Sequence, residues 1–511
     1  MKIIIPLATG DTEFENKFGT IKQLCKVGES TMIEEFIKYF KFNYEYIFLC
    51  RNKDIVETDL LRVISSFKVK NKIVSIKNDT VNIIETVSHA KKYVKKNESI
   101  LVAHPDAINV FFSRGNLIKK FKKPNCSAFL LAHEEEAQTN TTISLTGRLT
   151  YRNKKVIEII EKSPLAKDSK KLSGVYFFNK WSEFSFYADK TFKNQDSIQG
   201  RHFISQVYNE YIRDKKKVDM FLIKKHVDLG LVNYIDEFNF WHTYFNYNNN
   251  KKLTKKFKFI NVIPSCGDGL RFTQNKKDIF KPLINISNKK SMIKKTIESL
   301  PLAKKNVVII RKDHDKKYKF SKKIKSAIKN TEVLILDKKT SGMASTCNEY
   351  IKTLPDNKPL LLSSCDYSLV FNENKFYEMI KNLDPDVVVW TFKNYPDARV
   401  SPFAYAYADV KNGCVVRVSE KKPISNQPHL DHIVQGIFYF KSKKLFTEAF
   451  EEMVSKKNTI NNEYYVGNSI NELIKKNYVV LPFQVDQYIC LGTPRDLNVY
   501  NFWDKFQNDL F

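Results

Sequence analysis

Short apolar runs alternate with amphipathic stretches along the whole chain. Ile100–Ala103 and Leu360–Ser363 are compact apolar runs of the kind expected for strands buried on both faces. Ser291–Leu300 and Lys443–Met453 space their apolar residues three and four apart and predict helices. This alternation predicts an α/β fold with mostly parallel, mixed sheets, whose ligands gather at the carboxyl ends of the strands. The opening Met1-Lys2-Ile3-Ile4-Ile5-Pro6 is too short for a signal-peptide core and predicts a first buried strand. No apolar run is long enough to span a bilayer.

The pattern occurs twice. Glu161-Lys162-Ser163-Pro164 and Glu420-Lys421-Lys422-Pro423 each follow a strand-like run, Lys155–Ile160 and Val415–Val418. Ser173-Gly174-Val175-Tyr176-Phe177-Phe178 matches Gln435-Gly436-Ile437-Phe438-Tyr439-Phe440, and Asn239-Phe240-Trp241 matches Asn501-Phe502-Trp503. The register is nearly constant: 436−174, 492−230 and 503−241 all give 262, while 281−22 gives 259 and 366−106 gives 260. So many matches in one order indicate a tandem duplication. The polar stretch Asn246–Lys252 is the clearest punctuation. It predicts one domain over 1–245, a linker over 246–256 and a second domain over 257–511, lengths at which each half can bury its own core.

Composition refines this picture modestly. The chain has 511 residues, 42% of them hydrophobic and 28% charged, with a formal net charge of +29. The lysines lie in small clusters along the whole length, for example Lys119–Lys123 and Lys215–Lys217, and accompany abundant Asn, Ile and Phe. That distribution points to compositional bias rather than a polyanion groove, and no aromatic-basic RNA-binding signature is present. The milder consequence is attraction of phosphorylated small substrates. The eight cysteines are scattered without a CxxC pair, which predicts reduced thiols in a cytoplasmic protein.

The sharpest local motif opens the second half: Pro264-Ser265-Cys266-Gly267-Asp268-Gly269-Leu270-Arg271-Phe272, followed by Lys281-Pro282-Leu283. A strand leading into a glycine loop lets backbone N–H groups cup an anion. Arg271 can grip phosphate oxygens in bidentate fashion, and Lys281 adds a second positive charge. A tight turn with solvated basic residues would carry the same letters. The features that follow favour the first reading. Here the second half resembles the sugar-phosphate nucleotidyltransferases, whose G-x-G-x-R…K-P-L opening binds a nucleoside triphosphate. The resemblance implies two tandem Rossmann-like, GT-A-like nucleotidyltransferase domains. It also implies that Thr340-Ser341-Gly342-Met343-Ala344 lies against the nucleobase and that Asp366, after Leu360–Ser363, holds Mg2+. By the same resemblance Glu420 and Lys421 hold the sugar and its phosphate, Gly436 backs the sugar, and Leu491-Gly492-Thr493-Pro494 closes the site. Gly267 and Gly269 would line the triphosphate, with Arg271 on the leaving phosphates, Lys281 on the α-phosphate and Lys421 on the incoming phosphate.

Both halves depart from that family's pattern. Cys490 stands where a second metal-binding aspartate is expected, and a thiol is a poor ligand for Mg2+. Asp486 is four residues away, roughly 13 Å along a strand at about 3.3 Å per residue, which disfavours it as a substitute. The first half has lost the Gly-x-Gly, and Glu13 occupies the arginine position. It keeps Lys22, Asp106, Glu161, Lys162, Gly174 and, unlike the second half, Asp228 before Gly230.

The sequence therefore predicts a nucleotidyltransferase in the second half, acting on a nucleoside triphosphate and a sugar phosphate or related phosphorylated molecule. Pyrophosphate would be released and a precursor for surface polysaccharide formed. The first half is expected to be a non-catalytic relic or binding domain. The rival readings are a non-catalytic sensor or scaffold, supported by Glu13 and Cys490, and a GT-A glycosyltransferase. The last expects a D-x-D motif that neither Asp106-Ala107-Ile108 nor Asp366-Tyr367-Ser368 supplies.

Overall fold

The computed structural model describes residues 1–8, 10–134, 147–152, 155–162, 169–194, 202–250, 253–273, 280–286, 290–395 and 397–510. Thr9, Ser163, Pro164 and the linker residues Lys251 and Lys252 lie outside them.

The chain divides into two units, Met1–Thr243 with Phe506–Phe511, and Tyr244–Lys505. Among the described residues each contains a nine-stranded mixed sheet. In the first, the parallel core runs Asn71–Ile76, Glu45–Arg51, Lys2–Leu7 and Ile100–Ala103, continued by the antiparallel Ser169–Phe178. In the second, Thr331–Leu336, Lys305–Arg311, Ile260–Pro264 and Leu360–Ser363 follow the same order, continued by the antiparallel His432–Phe440. The two sheets share one strand order, so the duplication inferred from residue spacing extends to topology.

The central strands Lys2–Leu7 and Ile260–Pro264 are almost wholly buried, because helices cover both faces of a parallel sheet. Each sheet accordingly has a separate apolar cluster on either face. The outer strands Lys155–Ile160 and Cys414–Ser419 bury only part of their residues, as strands of edge hairpins do. Asn209 spans the backbone N–H and C=O of Ile159, and Asn471 does the same for Val418, another duplicated contact.

Two local expectations are corrected. The helix Val232–Asn250 runs into the asparagine-rich stretch where a turn is predicted; packing of its apolar residues outweighs the weak helix propensity of asparagine. The strand predicted from Phe257 begins at Ile260, with Phe257 and Phe259 buried as packing residues ahead of it.

Candidate active site

Each half carries a small two-stranded sheet beside the carboxyl ends of its parallel strands. In the second half Tyr367–Val370 pairs antiparallel with Gln487–Cys490, placing Tyr367 opposite Cys490. Asp366, which follows Leu360–Ser363, is thereby brought beside Cys490 although the two lie far apart in sequence. Gly492 closes the group: a Cβ built there would stand 3.0 Å from Asp366 Oδ2 and 3.4 Å from Cys490 Sγ. Asp486 sits at the other end of this sheet, its N–H bonded to Val370 O, and does not replace the missing carboxylate.

Lys281 lies on the single turn Lys281–Leu283 and donates from Nζ to Asp366 Oδ2 at 2.5 Å; the two side chains are 20% and 27% exposed. Burial alone would raise the Asp366 pKa, but the charge and hydrogen bond of Lys281 outweigh it and hold the carboxyl below its usual range. Asp366 in turn keeps Lys281 protonated against burial. Cys490 responds oppositely: burial and the nearby carboxylates of Asp496 and Asp366 push its thiol well above the usual value, so it stays protonated.

The glycine loop crosses above this pair. Gly269 has φ +65°, and a Cβ on it would lie 3.2 Å from Cβ of Lys281, so the position needs glycine for both conformation and approach. Arg271 is exposed on the turn Leu270–Thr273 and helps lower the Asp366 pKa through its charge.

Two cations that the motif does not contain hold this loop. Arg311, ending the strand Lys305–Arg311, pairs through Nη1 with Asp268 and grips Asp313 through Nε at 3.0 Å and Nη2 at 2.5 Å. Lys339 reaches Asp268 Oδ2 at 2.7 Å. The repeat holds the one signal that could have found Arg311, since Arg51 ends the matching strand of the first half (311−51 gives 260).

Gly342, φ +98°, caps the helix Met343–Ile351 and faces the backbone of Tyr464; an added Cβ would meet Tyr464 N and O at 2.8 Å each. Gly342→Ala is therefore expected to destabilise the protein by at least about 2 kcal/mol. A lowered urea midpoint would show this, and an unchanged midpoint would contradict it. Tyr465, next in the chain, donates its hydroxyl to Glu463 Oε2 at 3.0 Å, and burial together with that carboxylate pushes the phenol up to about 12.

Glu420 and Lys421 lie at the end of Cys414–Ser419. Lys421 adopts φ +57° and donates from Nζ to Ala404 O at 2.9 Å; Lys162 repeats this conformation with φ +53°. Left-handed lysines are uncommon, and two at matching positions mark a conformation that the fold imposes. In the first half the Ser205 hydroxyl donates to Glu161 Oε1. Gly467 takes the position of Ser205 (467−205 gives 262) and supplies no hydroxyl, and a Cβ there would fall 2.3 Å from Glu420 Oε1. Burial, opposed by Lys421, pushes the Glu420 carboxyl up to about 7. Gly436, φ +86°, accepts from Ser364 N at 3.2 Å, which ties the predicted sugar-backing position to the segment bearing Asp366.

The first half repeats the frame with different electrostatics. Lys22 Nζ donates to Asp106 Oδ2 at 2.8 Å and to Gly230 O at 3.1 Å. Ala107 pairs with Asp228, whose Oδ1 accepts from Gly230 N at 2.7 Å. Despite burial, Lys22 holds the Asp106 carboxyl down at about 2. Burial and the neighbouring Asp106 charge push Asp228 up to about 6. Glu13 is exposed on Thr12–Phe18.

Among the described residues no three His, Cys, Asp or Glu side chains converge as a closed metal site. The first half instead offers a pair of hard carboxylates beside the bare Gly230, a donor set that fits Mg2+ with phosphate oxygens completing the shell. In the second, Asp366 is paired to Lys281 as Asp106 is to Lys22, but its neighbour is a protonated thiol, and the two do not fit the ion as a pair.

Residues 260–497 match the family model described as nucleotidyl transferase. No curated protein matches the chain. Among solved structures, the chain is similar to a nucleoside-diphosphate-sugar pyrophosphorylase from Vibrio cholerae, at 19% identity and a TM-score of 0.39, over 46% of this chain and 99% of that one. It is also similar to the inositol-1-phosphate CTP transferase from T. maritima, at 13% identity and a TM-score of 0.38, over 49% of this chain and 96% of that one. Among the described residues no helix is long and apolar enough to cross a membrane.

Proposed function

We propose that the second half, whose residues 260–497 match the nucleotidyl transferase family model, transfers a nucleoside monophosphate from a nucleoside triphosphate to a sugar phosphate or related phosphorylated molecule. A phosphate oxygen of the acceptor attacks the α-phosphorus, a P–O bond forms, and the bond to the β-phosphate breaks with its electron pair leaving on pyrophosphate. The nucleophile is already an anion, so no strong base is required. The barrier is charge crowding, and fixed cations lower it. The observation that carries the reading is the half-buried Lys281–Asp366 pair beneath a glycine loop that bears Arg271 and is held by Arg311 and Lys339.

In this reading the backbone of Gly267 and Gly269 and the side chain of Arg271 take the leaving phosphates, and Lys281 takes the α-phosphate. Gly342 lies against the base, Glu420 and Gly436 hold the acceptor, and Lys421 holds its phosphate. Mg2+ would supply charge neutralisation on the phosphates, with Asp366 as a hard protein ligand in this half. The activated product would serve polysaccharide synthesis in the cytoplasm. Cys490 favours a second reading, a binding protein without turnover. Pyrophosphate release decides between them: the purified chain with Mg2+, four nucleoside triphosphates and a panel of sugar phosphates should turn over at least one pair. Nucleotide binding without any release would favour the second reading.

Acceptor binding should depend on pH. With its carboxyl at about 7, Glu420 is protonated at pH 6 and becomes an acceptor of sugar hydroxyl hydrogens at pH 8. The KM for the phosphorylated acceptor is expected to fall about tenfold over that range, and Glu420→Gln should flatten the profile. An unchanged profile in Glu420→Gln would remove Glu420 from the acceptor site.

A further inference from the structure

We propose that the first half is a binding site for the reaction product, a nucleoside diphosphate sugar, from which the triphosphate is excluded. The inference rests on the reading of the second half as a nucleotidyltransferase and follows from what the duplication kept and what it reversed.

Several contacts among the parts that would hold the nucleotide, the diphosphate and the sugar recur in the first half, although Asn82 stands at the position of Gly342 (342−82 gives 260). The hydroxyl pair Thr80–Thr86, at 2.6 Å, repeats Thr340–Thr346, at 2.5 Å, in the loop predicted to face the base. Lys22–Asp106 repeats Lys281–Asp366. Glu161 with the left-handed Lys162 repeats Glu420 with Lys421. Gly174, φ +72°, accepts from His104 N at 2.9 Å, as Gly436 does from Ser364 N.

What changed is the place of the leaving phosphates. Glu13 stands where the second half has Arg271, and Asp79 where it has Lys339 (339−79 gives 260). Two cations have become two anions. Arg51, the counterpart of Arg311, is likewise committed to carboxylates: Asp54 binds its Nε and Nη2 at 2.8 Å each, and Glu15 approaches Nη2 at 3.4 Å. Its guanidinium also packs on the loop, where a Cβ on Gly10 would lie 2.5 Å from Nη1. Like charges facing the β- and γ-phosphates of a triphosphate repel it. The product has shed that pyrophosphate and carries its diphosphate between nucleoside and sugar, over the positions that are kept.

The second carboxylate is kept as well. A Cβ on Gly230 would stand 2.9 Å from Asp228 Oδ1 and 3.4 Å from Asp106 Oδ2, so the glycine leaves open the space beside both oxygens. Two hard carboxylates at that spot suit a divalent cation shared with a diphosphate, and Cys490 in the second half does not.

Titration calorimetry of the full chain in Mg2+ tests this without reference to turnover. The probes are UDP-, dTDP-, GDP- and CDP-glucose and the α,β-methylene triphosphates of the same bases. For the matching base, the nucleotide sugar is expected to fill two sites per chain and the triphosphate analogue one. A chain carrying both Glu161→Gln and Lys162→Ala should bind one nucleotide sugar and keep its triphosphate site. Asp228→Asn, milder for the fold, should weaken the first-half site at least tenfold in Mg2+ and leave the second unchanged. One nucleotide-sugar site in the unaltered chain, two triphosphate sites, or two nucleotide-sugar sites surviving in the double variant would each overturn the proposal. Failure of the nucleotidyltransferase reading shows separately, as absence of pyrophosphate release.

Discussion

Lys281→Ala is expected to lower kcat/KM for nucleotidyl transfer by about 10³-fold, roughly 4 kcal/mol of transition-state stabilisation. Two effects add. The variant removes a largely buried cation beside the position proposed for the reacting phosphorus, and it leaves the Asp366 carboxylate without the partner that holds its pKa down. An anion would then stand alone where an anionic substrate must approach. Lys281→Arg keeps the charge but changes the donor geometry, and should recover part of the rate. The double variant Lys281→Ala with Asp366→Asn separates the two effects. If the stranded charge dominates, the double variant is faster than Lys281→Ala alone. Steady-state pyrophosphate release beside a thermal melt is the check, and a loss below tenfold with an intact fold would remove Lys281 from the chemistry.

Cys490→Asp is expected to do the reverse and raise the proposed nucleotidyl transfer. The strand register already places position 490 opposite Tyr367, next to Asp366, and Gly492 leaves the space between them clear. The first half shows how a carboxylate sits in this frame, with Asp228 accepting from Gly230 N at 2.7 Å. Exchanging a protonated thiol for hard oxygens should lower the Mg2+ concentration giving half-maximal rate by about tenfold or more. The pH dependence follows from the first half, where burial and the adjacent carboxylate push Asp228 up to about 6. A raised acid is charged above its pKa and neutral below it, so the gain should be present at pH 8 and fade as the pH falls. A magnesium titration at two pH values measures this. An unchanged magnesium requirement at pH 8 would show that position 490 does not face the cation.

The features legible in the sequence were those encoded by spacing. The duplication, the alternation of strands and helices and the glycine loop follow from motif order and constant register, whereas the strand order and the pairing of Lys281 with Asp366 appear only in the fold. Other features depend on contacts between distant segments that carry no local signature. Arg311 reads as a strand-ending arginine until the sheet brings it against Asp268. Gly342 reads as a base-binding glycine, yet its immediate constraint is the backbone of Tyr464. Glu420 matches Glu161 letter for letter, and the difference between them lies at Gly467 and Ser205, more than forty residues further on. The asparagines at 246–250 were misleading because tertiary packing, and not their own propensity, decides that segment.

The central claim is that turnover belongs to the second half while the first binds without reacting. Pyrophosphate release by the full chain carrying Asp366→Asn, measured beside the chain carrying Asp106→Asn, tests it most directly, because the two aspartates occupy matching positions and pair with matching lysines. Asp366→Asn is predicted to lower the rate by at least about 10²-fold, with Asp106→Asn within about twofold of the unaltered chain. Loss of turnover in Asp106→Asn with Asp366→Asn unimpaired would contradict the account.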